Sequence, residues 1–432
     1  MLNRTQQPEI KRLNEITIIP PERKIMRNGI TLNIINAGEQ EVVRVDFMFK
    51  GGHYQQTKPL QALFTNRMLR EGSSKFTSTD ISNKLDYYGA WLELSSSCEY
   101  SYISLYTLNK YFPYTIEIIE SIIKEPTFSE KEFNTVLDAN KQQFLVNQTR
   151  MDFISQKYFN LAVFGCDHPS GNSITLDDYL QLNREDLQEF HNRFYNSDNC
   201  SIYISGRTTE AIISSLEEKF GYIAWGNVRE KFVYTHPLLN SHTEKRLFIE
   251  HPDAMQNSLR IGGPTITHQH PDYLKMKVVT TLLGGYFGCR LMTNIREDKG
   301  YTYGISAGII TYPGTNLLVI STEADSEYTE NIIKEVYCEI DTLKKQLITE
   351  EELDMVKNYM AGSMYRNYEG PFSISDTWML IESEHLDDNY LRHYLDAILS
   401  ITQAEVMELS QQHLLSDTFI EVIAGKKIHN KL

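Results

Sequence analysis

Tyr114-Thr115-Ile116-Glu117-Ile118-Ile119 returns later in the chain as Tyr328-Thr329-Glu330-Asn331-Ile332-Ile333. Behind each copy stands a hydroxyl residue three positions ahead of a glutamate. The first is Ser129-Glu130-Lys131-Glu132-Phe133, the second Thr349-Glu350-Glu351-Glu352-Leu353. That spacing is a capping box, in which the hydroxyl accepts from an orphan helical N–H and the glutamate reaches back to the cap N–H. Each box therefore opens a helix, continued at helical spacing by Phe133, Val136 and Leu137 and by Leu353, Val356 and Met360. One capping box is common; two behind the same preceding helix mark a duplication. The wider second spacing fits a longer loop in the second copy.

Strands lie around these helices. Val43, Val45, Phe47 and Phe49 alternate with Arg44, Asp46 and Met48, which reads as a half-buried strand. Residues 101–108 and 317–322 are rich in β-branched and aromatic residues. Asn183 caps a further helix that leads to Phe194-Tyr195 and a strand at 201–205. Mixed strands and helices with antiparallel meanders favour α+β over a doubly wound parallel sheet. No glycine-rich phosphate loop follows a first strand. The Gly-, Pro- and Ser-containing stretch from Phe220 to Arg246 separates the copies, which gives an N-terminal α+β domain over 1–230 and a C-terminal one over 231–432.

A chain of 432 residues exceeds the roughly 250–300 at which single cores stop growing, so two domains are expected. The net charge of −15 argues against nucleic acid and anionic membrane as partners. No apolar run reaches a membrane span, and the first residues carry no apolar signal core, so the cytoplasm is the default expectation. The five cysteines are scattered and odd in number. They read as buried thiols, not as a disulfide framework or a thiolate metal site.

One stretch carries chemistry. Asn294-Ile295-Arg296-Glu297-Asp298-Lys299-Gly300-Tyr301-Thr302-Tyr303-Gly304 follows the glycine-rich turn Leu282-Leu283-Gly284-Gly285-Tyr286-Phe287-Gly288-Cys289-Arg290-Leu291. This run resembles the second-half signature of the pitrilysin/insulinase zinc peptidases, the inverzincins. Leu85–Ala90 is similar to that family's Leu-x-x-x-Gly-Ala. Phe164–Pro169 is similar to its Gly-Asp-His-Pro loop, with Cys166 inserted. The resemblance runs in order over most of the chain and implies two homologous α+β halves forming half of a clamshell chamber, in which a peptide lies as an added strand.

The resemblance also implies what is missing. Such enzymes hold zinc with His-x-x-Glu-His and a later glutamate. Aligned on Met68-Leu69-x-Glu71-Gly72, this chain has Leu63 and Arg67 for the histidines, Asn66 for the base and Ala139 for the third ligand. Leu and Ala offer no lone pair, Arg is a fixed cation, and Asn does not accept a proton from water. No cofactor is expected on this chain. Zinc is expected on a partner, a homologous peptidase chain with intact His-x-x-Glu-His, and a homodimer is left open where that partner is absent.

In the family the Arg and Tyr of the second signature contact the substrate backbone and the oxyanion. Arg296 and Tyr303 match those positions, with Tyr301, Gly284 and Gly285 as further substrate-side candidates. The plainer reading gives Arg296 an ion pair, Tyr303 a packed ring, the glycines a tight turn, and Arg290 a bracing role. His268-Gln269-His270 and Glu384-His385 with His393 read as surface histidines. The expectation is a non-catalytic, peptide-binding subunit of a two-chain zinc peptidase; the alternative is a non-enzymatic peptide-binding or scaffold protein.

Overall fold

The computed structural model describes Thr5, residues 19–227 and residues 244–427. The expected boundary between 230 and 231 lies outside the described residues. The first sheet holds β1 (Glu22–Ile25), β2 (Thr31–Asn36), β3 (Val42–Phe49), β4 (Trp91–Ser96), β5 (Ser101–Leu108) and β6 (Cys200–Gly206), in the order β1-β2-β6-β3-β5-β4. The second holds β7 (Arg246–Glu250), β8 (Asn257–Thr265), β9 (Thr302–Tyr312), β10 (Thr315–Ala324) and β11 (Ile420–Gly425), in the order β7-β11-β8-β10-β9. In each sheet one pair is parallel, β2 with β6 and β7 with β11, and the remaining neighbours are antiparallel. The second sheet thus repeats the order and sense of β2-β6-β3-β5-β4.

The helices repeat too. The first half carries α1 (Gln61–Met68), α2 (Ser78–Tyr88), α3 (Phe112–Lys124), α4 (Glu130–Asn147), α5 (Met151–Phe164), α6 (Leu176–Gln181), α7 (Arg184–Phe194) and α8 (Glu210–Leu216). The second carries α9 (Tyr273–Gly284), α10 (Thr329–Lys345), α11 (Glu350–Arg366), α12 (Pro371–Ser383), α13 (Tyr390–Ser400) and α14 (Gln403–His413). The repeated Tyr-Thr motif lies at the start of α3 and of α10. Ser129 and Thr349 cap α4 and α11 by accepting from the N–H of Glu132 and Glu352. The returning carboxylate half of the box is absent from both. Glu132 pairs with Lys131 instead, and Glu352 takes a bidentate bond from Arg290. Asn183 and Asp186 make both halves at α7.

The halves exchange helices. α5 lays Phe159, Val163 and Phe164 on Leu317, Val319 and Val422 of the second sheet. α12 lays Ile374, Trp378 and Ile381 on Ile35 and Tyr203 of the first. Tyr203 Oη donates to Glu382 at 2.6 Å, and the hydroxyls of Ser155 and Ser258 meet at 2.9 Å. A fully buried large apolar side chain is worth about 1.5–3 kcal/mol. Parting the halves would expose enough of them to rival the ~5–15 kcal/mol net stability of a folded protein.

This exchange corrects the reading of β3. It is buried on both faces, not half-buried; on the face expected to meet water, α12 packs on the neighbouring β6 and β2 and brings Asp376 and Phe372 onto Arg44. Arg44 and Asp46 sit on that face as an ion pair at 2.8 Å. The cysteines also differ from expectation: Cys200 and Cys289 are buried, but Cys166 and Cys338 are exposed.

Candidate functional site

The helix expected to have lost its zinc set is α1. The chain enters it through Leu60, a buried non-glycine residue held at φ 71°, in the sparsely populated left-handed region. α1 packs on α7 and β4 and touches α4. Leu63 packs partly buried against the first core and lines a cavity of about 420 Å³ with His53, Tyr54 and Pro59. Burial pushes the His53 imidazole below its usual range. Asn66 is 1% exposed. Its amide donates to the Tyr102 carbonyl and to Tyr195 Oη, each at 3.2 Å. Arg67 and Ala139 are exposed, on α1 and α4. These residues offer neither imidazole nor carboxylate, so they do not fit a zinc ion. Asn66 is tied into the core by its amide.

The second signature forms a continuous device. α9 ends at Gly284, which is buried so tightly that a Cβ would stand 2.4 Å from the Ala307 backbone nitrogen. Glycine there lets α9 lie directly on β9, as a packing residue; Gly285 is exposed. The chain then turns into a π-helical segment, Met292–Asp298. Such segments are rare and recur at functional sites. Arg296 sits within it, its guanidinium 4.5 Å over the centre of the exposed Phe287 ring. Arg296 makes no ion pair among the described residues. Arg290 is braced instead, by Glu352 and by Glu339 at 3.7 Å.

Tyr301 anchors the connection. Its ring stacks on Tyr328 at 4.8 Å, and its N–H donates to the Ile295 carbonyl at 3.0 Å. Tyr303 is the second residue of β9, the edge strand of the second sheet. Thr302 pairs with Ala324 and Ile305 with Thr322, so Tyr303 and Gly304 oppose Glu323 alone. This is a β-bulge, a device that re-aims a side chain. Thr302 and Thr322 stitch it: Thr322 Oγ1 donates to the Gly304 carbonyl at 2.7 Å and Thr302 Oγ1 to the Glu323 carbonyl at 2.6 Å. Tyr303 emerges 91% exposed. It lines a groove of about 380 Å³ with Asp152, Arg260, Ser321 and Glu323. Arg260, which the sequence reading passed over, has a buried Nε with no partner among the described residues. Burial lowers its pKa. Tyr301 is not part of the groove, and Arg296 and Tyr303 form no hydrogen bond with each other.

The scattered histidines meet. His268, His270, His385 and His393 line a cavity of about 780 Å³ to which the first half adds Lys50 and Glu99. Glu384 faces it with its carboxyl pKa raised, by burial and then by Glu99.

Residues 33–169 match the family model described as Insulinase (Peptidase family M16), and residues 181–360 match the model described as Peptidase M16 inactive domain. The chain belongs to peptidase family M16. Among its M16 relatives is the uncharacterized zinc protease YmxG of Bacillus subtilis, 23% identical over 81% of this chain and 84% of that protein. The non-peptidase homolog YmxG of Helicobacter pylori is 21% identical over 89% of each. In fold, the chain matches the crystal structure of a peptidase M16 inactive domain from Pseudomonas fluorescens with a TM-score of 0.85. That match has 22% identity and covers 96% of this chain and all of the other. In this M16 chain, Leu63, Asn66 and Arg67 of α1 and Ala139 of α4 offer no imidazole or carboxylate to a metal. Among the described residues no helix is long and apolar enough to cross a membrane.

Proposed function

We propose that this chain is the substrate-binding, non-catalytic subunit of a two-chain zinc metallopeptidase acting on peptides. A homologous partner carrying His-x-x-Glu-His supplies zinc, base and water. Arg296 and Tyr303 act from this chain on the peptide backbone and on the oxyanion of the tetrahedral intermediate. Arg offers a fixed cation with several donors, and Tyr a neutral O–H donor.

The observation that carries the proposal is the state of the pair. A structural arginine would hold an acid and a structural tyrosine would bury its ring. Arg296 has no ion pair among the described residues, and Tyr303 is held outward by a stitched bulge. Tyr303 holds its O–H at the groove, and Arg296, over the Phe287 ring, holds its guanidinium out of any ion pair among the described residues; donors so kept are suited to a ligand. The arrangement of α1 points the same way, since Asn66 has its amide committed to Tyr102 and Tyr195.

The second reading, a peptide-binding or scaffold protein, is favoured by the edge position of β9. An edge strand offers backbone groups to an added strand without chemistry. Affinity capture of the chain from its source cells, with identification of what accompanies it, separates the two. A stoichiometric partner of similar length with His-x-x-Glu-His supports the subunit; recovery of the chain alone, or only with itself, favours the scaffold.

A further inference from the structure

The fold brings three metal-type donors to one point at the junction of α9 and α14. His270 lies in the turn before α9, Asp272 is the residue from which α9 starts, and His413 ends α14. Their donor atoms all lie within 4.8 Å of one another. Nδ1 of His270 is 3.7 Å from Asp272 Oδ2 and accepts the Asp272 N–H at 3.2 Å, a bond that a metal on Nδ1 displaces; Nε2 of His413 is 2.9 Å from the same oxygen. Zinc bonds of ~2.0–2.1 Å in a tetrahedron place ligands about 3.3 Å apart, so these separations bracket the geometry a zinc ion needs. The two rings stand 5.2 Å apart at 79°, edge to face, and are not stacked against each other.

We propose that His270, Asp272 and His413 bind one zinc ion, independently of the metal expected on a partner subunit. Two imidazoles and a carboxylate are a borderline-soft donor set that suits zinc over calcium or magnesium. The donors are positioned in advance. α9 and α14 pack in the second core, and Lys275 on α9 pairs with Glu405 on α14 at 2.5 Å. His413 stands at the C-terminal end of α14, whose free carbonyls favour a cation. The N-terminal end of α9 disfavours one, and the Asp272 carboxylate offsets it. His270 is exposed on the wall of the cavity between the halves, which leaves the fourth position to water. The ion cross-links the two helices at the rim of that cavity. Arg296 and Tyr303 are not among the residues that hold it.

The test is zinc titration of the chelator-treated full chain against a chromophoric competitor, with thermal unfolding followed in parallel. Expected is one zinc per chain at micromolar free metal, with a rise in Tm. His413→Ala and His270→Ala should each weaken binding by at least about tenfold, and His393→Ala should leave it unchanged. His270 is exposed, so its variant retains the fold, and Co(II) in place of zinc reads the ligand geometry from its absorption. Failure to bind at micromolar zinc overturns the proposal. So does binding that survives His413→Ala and His270→Ala, or that is lost in His393→Ala.

Discussion

A guanidinium nitrogen of Arg44, on the central strand β3 of the first sheet, lies 2.6 Å from a carboxylate oxygen of Asp376 on α12 of the second half. Arg44 is 3% exposed, Asp46 beside it 1%, and Asp376 62%. The buried pair is thus closed by an acid from the other half that still sees water. Asp376→Ala leaves Arg44 with Asp46 and should cost about 1 kcal/mol, as for a screened partner. Arg44→Met strands Asp46 in the core and should cost about 3–5 kcal/mol. Urea unfolding reads both. With α5 and α12 exchanged between sheets, every variant should unfold in one transition; two separate transitions would show that the halves are independent.

Asn66, expected from the sequence at the position of the family's catalytic base, acts as a core residue. Asn66→Ala leaves Tyr195 Oη and the Tyr102 carbonyl without their donor and should cost about 1–3 kcal/mol. Arg67→Ala, at an exposed position on the same helix, should stay within about 0.5 kcal/mol. Equal small effects in chemical denaturation would contradict the structural role of Asn66.

His191 on α7 is buried, its Nε2 2.8 Å from the Ile123 carbonyl and its ring stacked on Tyr195. Burial pushes its pKa down to about 4 from 6.5. Above pH 6.5 it is neutral folded or unfolded, and its contribution is fully present. As pH falls from 6.5 towards 4 the unfolded chain takes the proton and the folded chain does not, so stability is lost. The full loss is roughly 3 kcal/mol. Stability measured across that window should fall less steeply in His191→Gln, and an unchanged slope would rule the assignment out.

The duplication was legible because its signals are local. Tyr-Thr-x-x-Ile-Ile and the hydroxyl caps set helix starts, alternation set β3, and β-branched and aromatic content set β5. What escaped is non-local. Nothing in the sequence of β3 says that α12 will pack beside it and bring Asp376 onto Arg44, so Arg44 and Asp46 read as solvent-facing. Glu352 looked like the second half of a capping box; only the fold brings Arg290 within reach of it. The candidates Arg296 and Tyr303 could be named only through the family resemblance of their stretch, and the bulge that turns Tyr303 outward depends on Thr322 and Glu323 of the next strand. His270, Asp272 and His413 meet only after α14 packs on α9.

The most direct measurement is turnover by the captured two-chain complex when this subunit carries Tyr303→Phe, which removes one oxygen from a side chain that packs against almost nothing. If Tyr303 donates to the oxyanion, kcat should fall by about 10²–10³ with the complex intact. Unchanged kcat in an intact complex would contradict the role assigned to this subunit and leave a peptide-binding scaffold.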